Sequence, residues 1–109
     1  MAIKANLSID QGASYATRLN LNDKYGNPVN LSGYAGAAQM RKHFSSSNAT
    51  SFAVTLLPED GGVVLQMTSN TTSNLVAGRY VYDVELTDPA GYVSRIVEGI
   101  VTVNPNVTR

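Results

Sequence analysis

The stretch Tyr80-Val81-Tyr82-Asp83-Val84-Glu85-Leu86-Thr87, followed by Asp88-Pro89-Ala90-Gly91, decides the fold class. Tyr80, Tyr82, Val84 and Leu86 alternate with Val81, Asp83, Glu85 and Thr87. That period of two belongs to a strand with one buried and one wet face. Asp88 to Gly91 fits a type I turn followed by a glycine in the left-handed region. A return strand then covers about Tyr92 to Val103, and its broken alternation near Glu98-Gly99 predicts a bulge. A three-residue loop after Asp88 would place Glu85 opposite Arg95, the setting for a cross-strand ion pair.

Working outward, the same alternation recurs. Ile3, Ala5, Leu7 and Ile9 share one face of a first strand, which turns at Asp10-Gln11-Gly12. Tyr15, Thr17, Leu19 and Leu21 share a face of a second, between about Ser14 and Leu21. The segment from Asn22 to Pro28 is dense in turn formers. A third strand covers about Tyr34 to Lys42, where Gly36 and Ala38 suggest close approach of a neighbouring backbone. Residues His43 to Thr50 read as a polar loop. Phe52, Val54 and Leu56 mark a fourth strand, Pro58 to Gly62 a hairpin turn, and Val63, Leu65 and Met67 a fifth strand. Ser69 to Ala77 lacks alternation and reads as one helical turn, capped by Ser69 or Asn70. Asn104-Pro105-Asn106 ends the last strand, because proline cannot donate to a ladder.

Seven short strands at this spacing predict an all-β sandwich of about seven antiparallel strands. Residues 1–103 form one domain and 104–109 an extended C-terminal tail. No helix longer than about two turns is expected. Leu75-x-x-Gly78-x-Tyr80 has the form of a tyrosine corner, whose phenol bonds back across the bend; an ordinary core tyrosine is the alternative.

Composition narrows the function. The 109 residues hold eight basic and eight acidic side chains, so the net charge is zero. A nucleic-acid binder needs a basic stripe to neutralise phosphates, and none is present. Cysteine is absent and His43 is the one histidine, which excludes disulfides, thiol nucleophiles and a thiolate zinc site. The opening MAIKANLSID has no apolar signal region, and no run approaches the ~20 apolar residues that span a bilayer. No membrane partner is expected. Twelve valines suit pleated strands. The five N-x-S/T triplets, at Asn6, Asn30, Asn48, Asn70 and Asn106, follow from a chain rich in Ser, Thr and Asn.

Each candidate for chemistry has a plainer reading. His43 is the one general base near neutral pH, and Ser45, Ser46 and Ser47 follow it, but no motif supplies an orienting acid or an oxyanion site. Asp83 and Glu85 share one strand face and could serve as paired carboxylates or metal ligands; an ion pair with Arg95 explains them without catalysis. Glu59-Asp60-Gly61-Gly62 lacks the oxygen spacing of a calcium loop and fits a hairpin turn. No catalytic, cofactor-binding or metal residue is assigned, and no cofactor is expected.

The ordered pieces Ile9-Asp10-Gln11-Gly12, Asp23-x-x-Gly26-x-Pro28-Val29-Asn30-Leu31-Ser32-Gly33-Tyr34, Gln39-Met40-Arg41-Lys42, Ala77-Gly78-x-Tyr80-x-Tyr82-Asp83-Val84-Glu85-Leu86 and Val97-Glu98-Gly99-x-Val101-x-Val103 form a series spanning nearly the whole chain. The series resembles small tail-associated structural proteins of bacteriophages. It is also similar to the N-terminal domain of phage baseplate upper proteins. The resemblance implies a non-enzymatic, immunoglobulin-like module in the virion, as a tail, baseplate, neck or capsid-decoration component. Its implied partners are other virion proteins and copies of itself. The alternative is a receptor- or carbohydrate-binding sandwich, with a host-surface glycan as ligand and Tyr25, Tyr34 and Tyr92 as the loop aromatics. A hydrolase using His43 is the third reading. An end segment lying on a neighbouring subunit is a further expectation, since six extended residues reach roughly 20 Å.

Overall fold

A computed structural model of the chain describes residues 3–43 and 45–107. Phe44 of the polar loop, and Thr108 and Arg109 of the expected tail, lie outside the described residues, as do Met1 and Ala2. The elements are β1 (Ile3–Lys4), β2 (Leu7–Asp10), β3 (Tyr15–Asn20), β4 (Ala35–Arg41), β5 (Thr50–Ser51), β6 (Ala53–Leu57), β7 (Gly62–Met67), α1 (Ser69–Ser73), β8 (Gly78–Thr87) and β9 (Val93–Asn104).

The protein is an all-β sandwich. One sheet has the order β1-β9-β8-β4-β5, with β2 also on β9, and the facing sheet has the order β3-β7-β6. A first strand beside the last, a β9-β8-β4 centre and a β3-β7-β6 partner sheet make the topology immunoglobulin-like. The count exceeds seven for two reasons. The first expected strand breaks at Ala5-Asn6. A two-residue strand, Thr50–Ser51, also forms at the end of the expected polar loop, just before Phe52, where the chain changes sheets. Thr50 and Ser51 pair with Met40 and Gln39 of β4, whereas Ala53 pairs with Gln66 of β7. Phe52 itself is buried, and its amide donates to the Ala38 carbonyl at 3.0 Å.

The ladders are antiparallel with one correction. β1 and β2 run parallel to β9, with Ile3 beside Val97 and Ile9 beside Val103. An antiparallel partner for β1 and β2 would have to run the other way, and the neighbour the sheet offers on that edge is β9.

The core is the alternating set seen in sequence: Ile9, Met40, Val63, Leu65, Val84, Val97 and Val101 are all but sealed from solvent. Phe52 meets Tyr82 edge-on, with centroids 6.1 Å apart, and meets Tyr15 at 6.4 Å. Leu31 is equally buried, although it sits in a turn-rich segment. Its amide bonds to the Pro58 carbonyl at 3.0 Å, pinning the β3–β4 connection against the sandwich.

Three local expectations change. The α1 cap is Thr68, whose hydroxyl accepts from the Thr71 amide at 3.3 Å, rather than Ser69 or Asn70. The space beside Gly36 is filled by side chains of Val54, Leu56 and Leu86, not by backbone. The irregularity of the β8–β9 ladder lies earlier than Glu98-Gly99. Val84 pairs with Val97 and Glu85 with Arg95, leaving Ile96 as the extra residue. Gly99 breaks the pattern for another reason: a Cβ there would strike the Ala5 carbonyl.

Candidate functional site

The β8–β9 hairpin closes as the sequence predicts. The Gly91 amide donates to the Asp88 carbonyl at 2.9 Å, and Gly91 has φ of 91°. The Asp88 carboxylate accepts from the amides of Ala90 and Tyr92. This places Glu85 opposite Arg95 on the outer sheet face. The ion pair forms elsewhere. Arg95 Nε lies 3.2 Å from Asp83 Oδ2, and its Nη1 lies 3.5 Å from Glu98 Oε2. Strand twist brings the diagonal neighbour within reach of a long side chain. Arg95 thus holds two carboxylates in one structural cluster.

Tyr80 forms the tyrosine corner: its hydroxyl donates to the Val76 carbonyl at 2.6 Å. The Lys42 ammonium lies over its ring, 5.0 Å from the centroid. Around His43, the polar groups bond to the loop itself. The Ser46 hydroxyl accepts from the His43 amide, and Arg41 Nη1 donates to the Ser46 carbonyl at 2.5 Å. Asp60, in the turn before β7, lies 3.8 Å from Arg18. Among the described residues, no group of three or more His, Asp or Glu could hold a metal ion. None of their helices is long and apolar enough to cross a membrane.

Burial pushes the Tyr82 phenol up to about 12, with the neighbouring Tyr15 hydroxyl adding to the shift. Burial also raises Tyr15. Both phenols stay neutral under ordinary conditions and serve as packing groups.

What the strands leave at the surface is more informative. At the hairpin end, a cleft of about 290 Å³ opens between the sheets, walled by Ile3, Leu31, Tyr34, Tyr92 and Ile96. Two of the three loop tyrosines singled out in sequence, Tyr34 and Tyr92, share this cleft; Tyr25 does not line it. Ile3 and Tyr92 are exposed there, Tyr92 at 72%. The cleft escaped sequence reading because Ile3 lies inward beside Val97 yet reaches past the cover of the facing sheet.

At the opposite end the chain is tied down. The Asn106 amide donates to Gln11 Oε1 at 3.0 Å, while Gln11 Nε2 donates to the Leu75 carbonyl at 2.7 Å. Asn104 donates to Ser8 and Asp10. The expected tail is therefore part of the domain as far as Asn106, and Val107 beyond it is 94% exposed.

No protein-family model matches the sequence, and no curated protein matches it. Among solved structures, the fold is similar to part of an internalin-like protein of Listeria monocytogenes, with a TM-score of 0.52 and 18% identity. The match covers 94% of this chain, which spans 28% of the length of that one. At that identity the likeness shows the sandwich fold and nothing further.

Proposed function

We propose that this chain is a non-enzymatic structural component of a bacteriophage virion, in the tail, baseplate, neck or capsid decoration. It acts by contacts with other virion proteins and with copies of itself in a symmetric assembly. The observation that carries the reading is where the apolar surface lies. Ile3, Tyr25, Tyr92 and Val93 are exposed at one end of the strands and Val76 and Val107 at the other, with Ile100 the one exposed large apolar side chain between them among the described residues. A body 44 Å long and 27 by 21 Å across, apolar at both ends, suits end-on contact in a stack or ring. Zero net charge lets many copies sit close without mutual repulsion. The ordered resemblance to phage tail-associated and baseplate proteins supplies the assembly.

Immunogold electron microscopy of particles from the source culture, with antibody to the folded protein, tests this. Label repeating at fixed positions on virions is the expected outcome. Antigen confined to the soluble fraction, with purified particles unlabelled, sinks the proposal. His43→Ala should leave incorporation unchanged.

A second reading rests on Tyr34 and Tyr92 meeting in one cleft, since aromatic rings stack against sugar faces. In it the module binds a host-surface glycan there. A glycan array distinguishes the two: specific binding lost in Tyr92→Ala favours this reading, and no binding removes it.

A further inference from the structure

The chain holds five aspartates, Asp10, Asp23, Asp60, Asp83 and Asp88. An aspartate whose carboxyl meets the next residue's amide can close a five-membered succinimide ring. Four of the five are hindered. The Gln11 amide after Asp10 donates to the Asn104 carbonyl at 3.0 Å. Asp23 Oδ1 accepts from the Tyr25 and Asn27 amides. Asp83 lies within β8, paired on both sides by β4 and β9, and is followed by the branched Val84. Asp88 precedes Pro89, which has no N–H with which to close the ring.

Asp60 meets none of these barriers. It is exposed in the turn between β6 and β7. Its carboxylate accepts no hydrogen bond from the described residues, and its ionic neighbour, the exposed Arg18, lies 3.8 Å away. An exposed pair at that distance holds a side chain weakly. The next residue is Gly61, with no side chain to obstruct the approach. The Gly61 amide gives no backbone hydrogen bond among the described residues, whereas its carbonyl accepts from the Leu21 amide at 2.8 Å. Ring closure at Asp60 therefore breaks one weak ion pair and no hydrogen bond of the groups that react.

We propose that Asp60–Gly61 is a site of spontaneous isoaspartate formation, and that the conversion unfastens the β3–β4 connection from the sandwich. The Gly61 nitrogen attacks Asp60 Cγ, and the amide proton and a carboxyl hydroxyl leave as water. A second water adds to the α-carbonyl carbon of the ring and breaks its bond to the Gly61 nitrogen, which takes back a proton. The main chain then runs through Cβ and Cγ beside a free α-carboxylate, with mass and charge unchanged. The added methylene has no room on the inner side of the turn. Gly61 packs so closely on the backbone of Leu21 and Val29 that a Cβ there would strike it. The turn must move outward, taking the Gly61 carbonyl from the Leu21 amide and the Pro58 carbonyl from the Leu31 amide. Leu21, Val29 and Leu31 wall the cleft beside Tyr34, so the change reaches the cleft. The inference goes beyond the virion reading and does not depend on it.

The full chain, aged in mildly acidic buffer below its melting temperature, tests this by peptide mapping and by methyl labelling with a purified isoaspartyl methyltransferase. Isoaspartate at Asp60 should exceed that at each of the other four aspartates by at least roughly tenfold, since a branched neighbour, a proline or a committed group hinders closure there. Asp60→Glu keeps the charge beside Arg18 but would have to close a six-membered ring, and should take up no label at that position. The converted protein, separated by chromatography, should exchange its Leu21 and Leu31 amides faster than fresh protein, with β8 and β9 unchanged. Isoaspartate spread evenly over the aspartates, none at Asp60, labelling of Asp60→Glu equal to wild type, or unchanged Leu21 exchange in the converted protein would overturn the proposal.

Discussion

The Tyr82 phenol donates to the Ala5 carbonyl at 2.6 Å, linking a central strand to the kink in the first one. Tyr82 stands opposite Gly99 in the β8–β9 ladder. With no side chain at Gly99, the ring passes over β9 to reach the far edge. The rest of the kink is also satisfied. The Ala5 amide donates to the Glu98 carbonyl at 3.0 Å, and Asn6 Oδ1 accepts from the Ile100 amide at 3.1 Å. A side-chain amide thus replaces a ladder acceptor at the point where β1 ends and β2 begins.

Two substitutions separate the roles of Tyr82. Tyr82→Phe keeps the ring and removes the bond to Ala5, so urea unfolding should show a loss of ~1 kcal/mol. Tyr82→Ala also opens a cavity beside Phe52, and the loss should reach ~3–5 kcal/mol. Equal losses in the two variants would show that the ring contributes nothing beyond its hydroxyl.

Gly99→Ala places a methyl group against the Ala5 carbonyl. The expected loss is ~1–3 kcal/mol, as for other overpacked sites. Hydrogen exchange should quicken at the Ala5 amide while β3 and β7 stay protected. Unchanged stability would mean that β1 shifts at no cost.

The phenols predict an alkaline transition. Tyr82 keeps its proton to about 12 when folded, against 10.0 in the unfolded chain. Above the unfolded value, the unfolded state has lost a proton that the folded state retains, so stability falls as pH rises. It should be flat up to about pH 10 and decline from there towards pH 12. Tyr82→Phe should shrink the decline, and the raised Tyr15 should leave a residue of it. Chemical denaturation at a series of pH values reads this directly.

The outer-face charges should matter little. Asp83→Asn breaks the 3.2 Å contact with Arg95, and the change in stability should stay below about 1 kcal/mol because both groups are solvent-exposed. Glu85→Gln should change nothing, since Arg95 turns away from Glu85. Added salt should erase any Asp83→Asn effect.

Truncation tests the bonds that hold the C-terminal segment as far as Asn106. Removing residues after Asn106 should leave thermal stability unchanged. Removing residues after Val103 takes away the Asn104 and Asn106 bonds to Ser8, Asp10 and Gln11, and should lower the melting temperature by several degrees. Equal melting of both truncations would show that these bonds contribute nothing.

Much of the sandwich could be read from residue order. Alternation at Tyr80–Leu86 and Val63–Met67, the Asp88–Gly91 turn and the tyrosine corner are local patterns, each set by neighbours within a few positions. They were legible because period and turn chemistry act over short stretches of chain. Val97, by contrast, is buried only because Ile96 is an extra residue that re-phases β9 against β8. The broken alternation of this strand announces a bulge, but places it near Glu98-Gly99 rather than at Ile96.

The candidate surfaces divide the same way. That Tyr34 and Tyr92 are aromatic and near loops is written in the sequence; that they wall one cleft depends on the β3–β4 connection folding against the hairpin end. The sequence alone determined the all-β class, the strand faces and the turns, through periodicity and backbone preference. Only the tertiary structure decided that β1 and β2 run parallel to β9, that Arg95 takes Asp83 rather than Glu85, and that β3 and β6 flank β7 in the smaller sheet. Those outcomes depend on which strands become neighbours, and contacts between segments as far apart as Ala5 and Tyr82 carry no signature in the local order of residues.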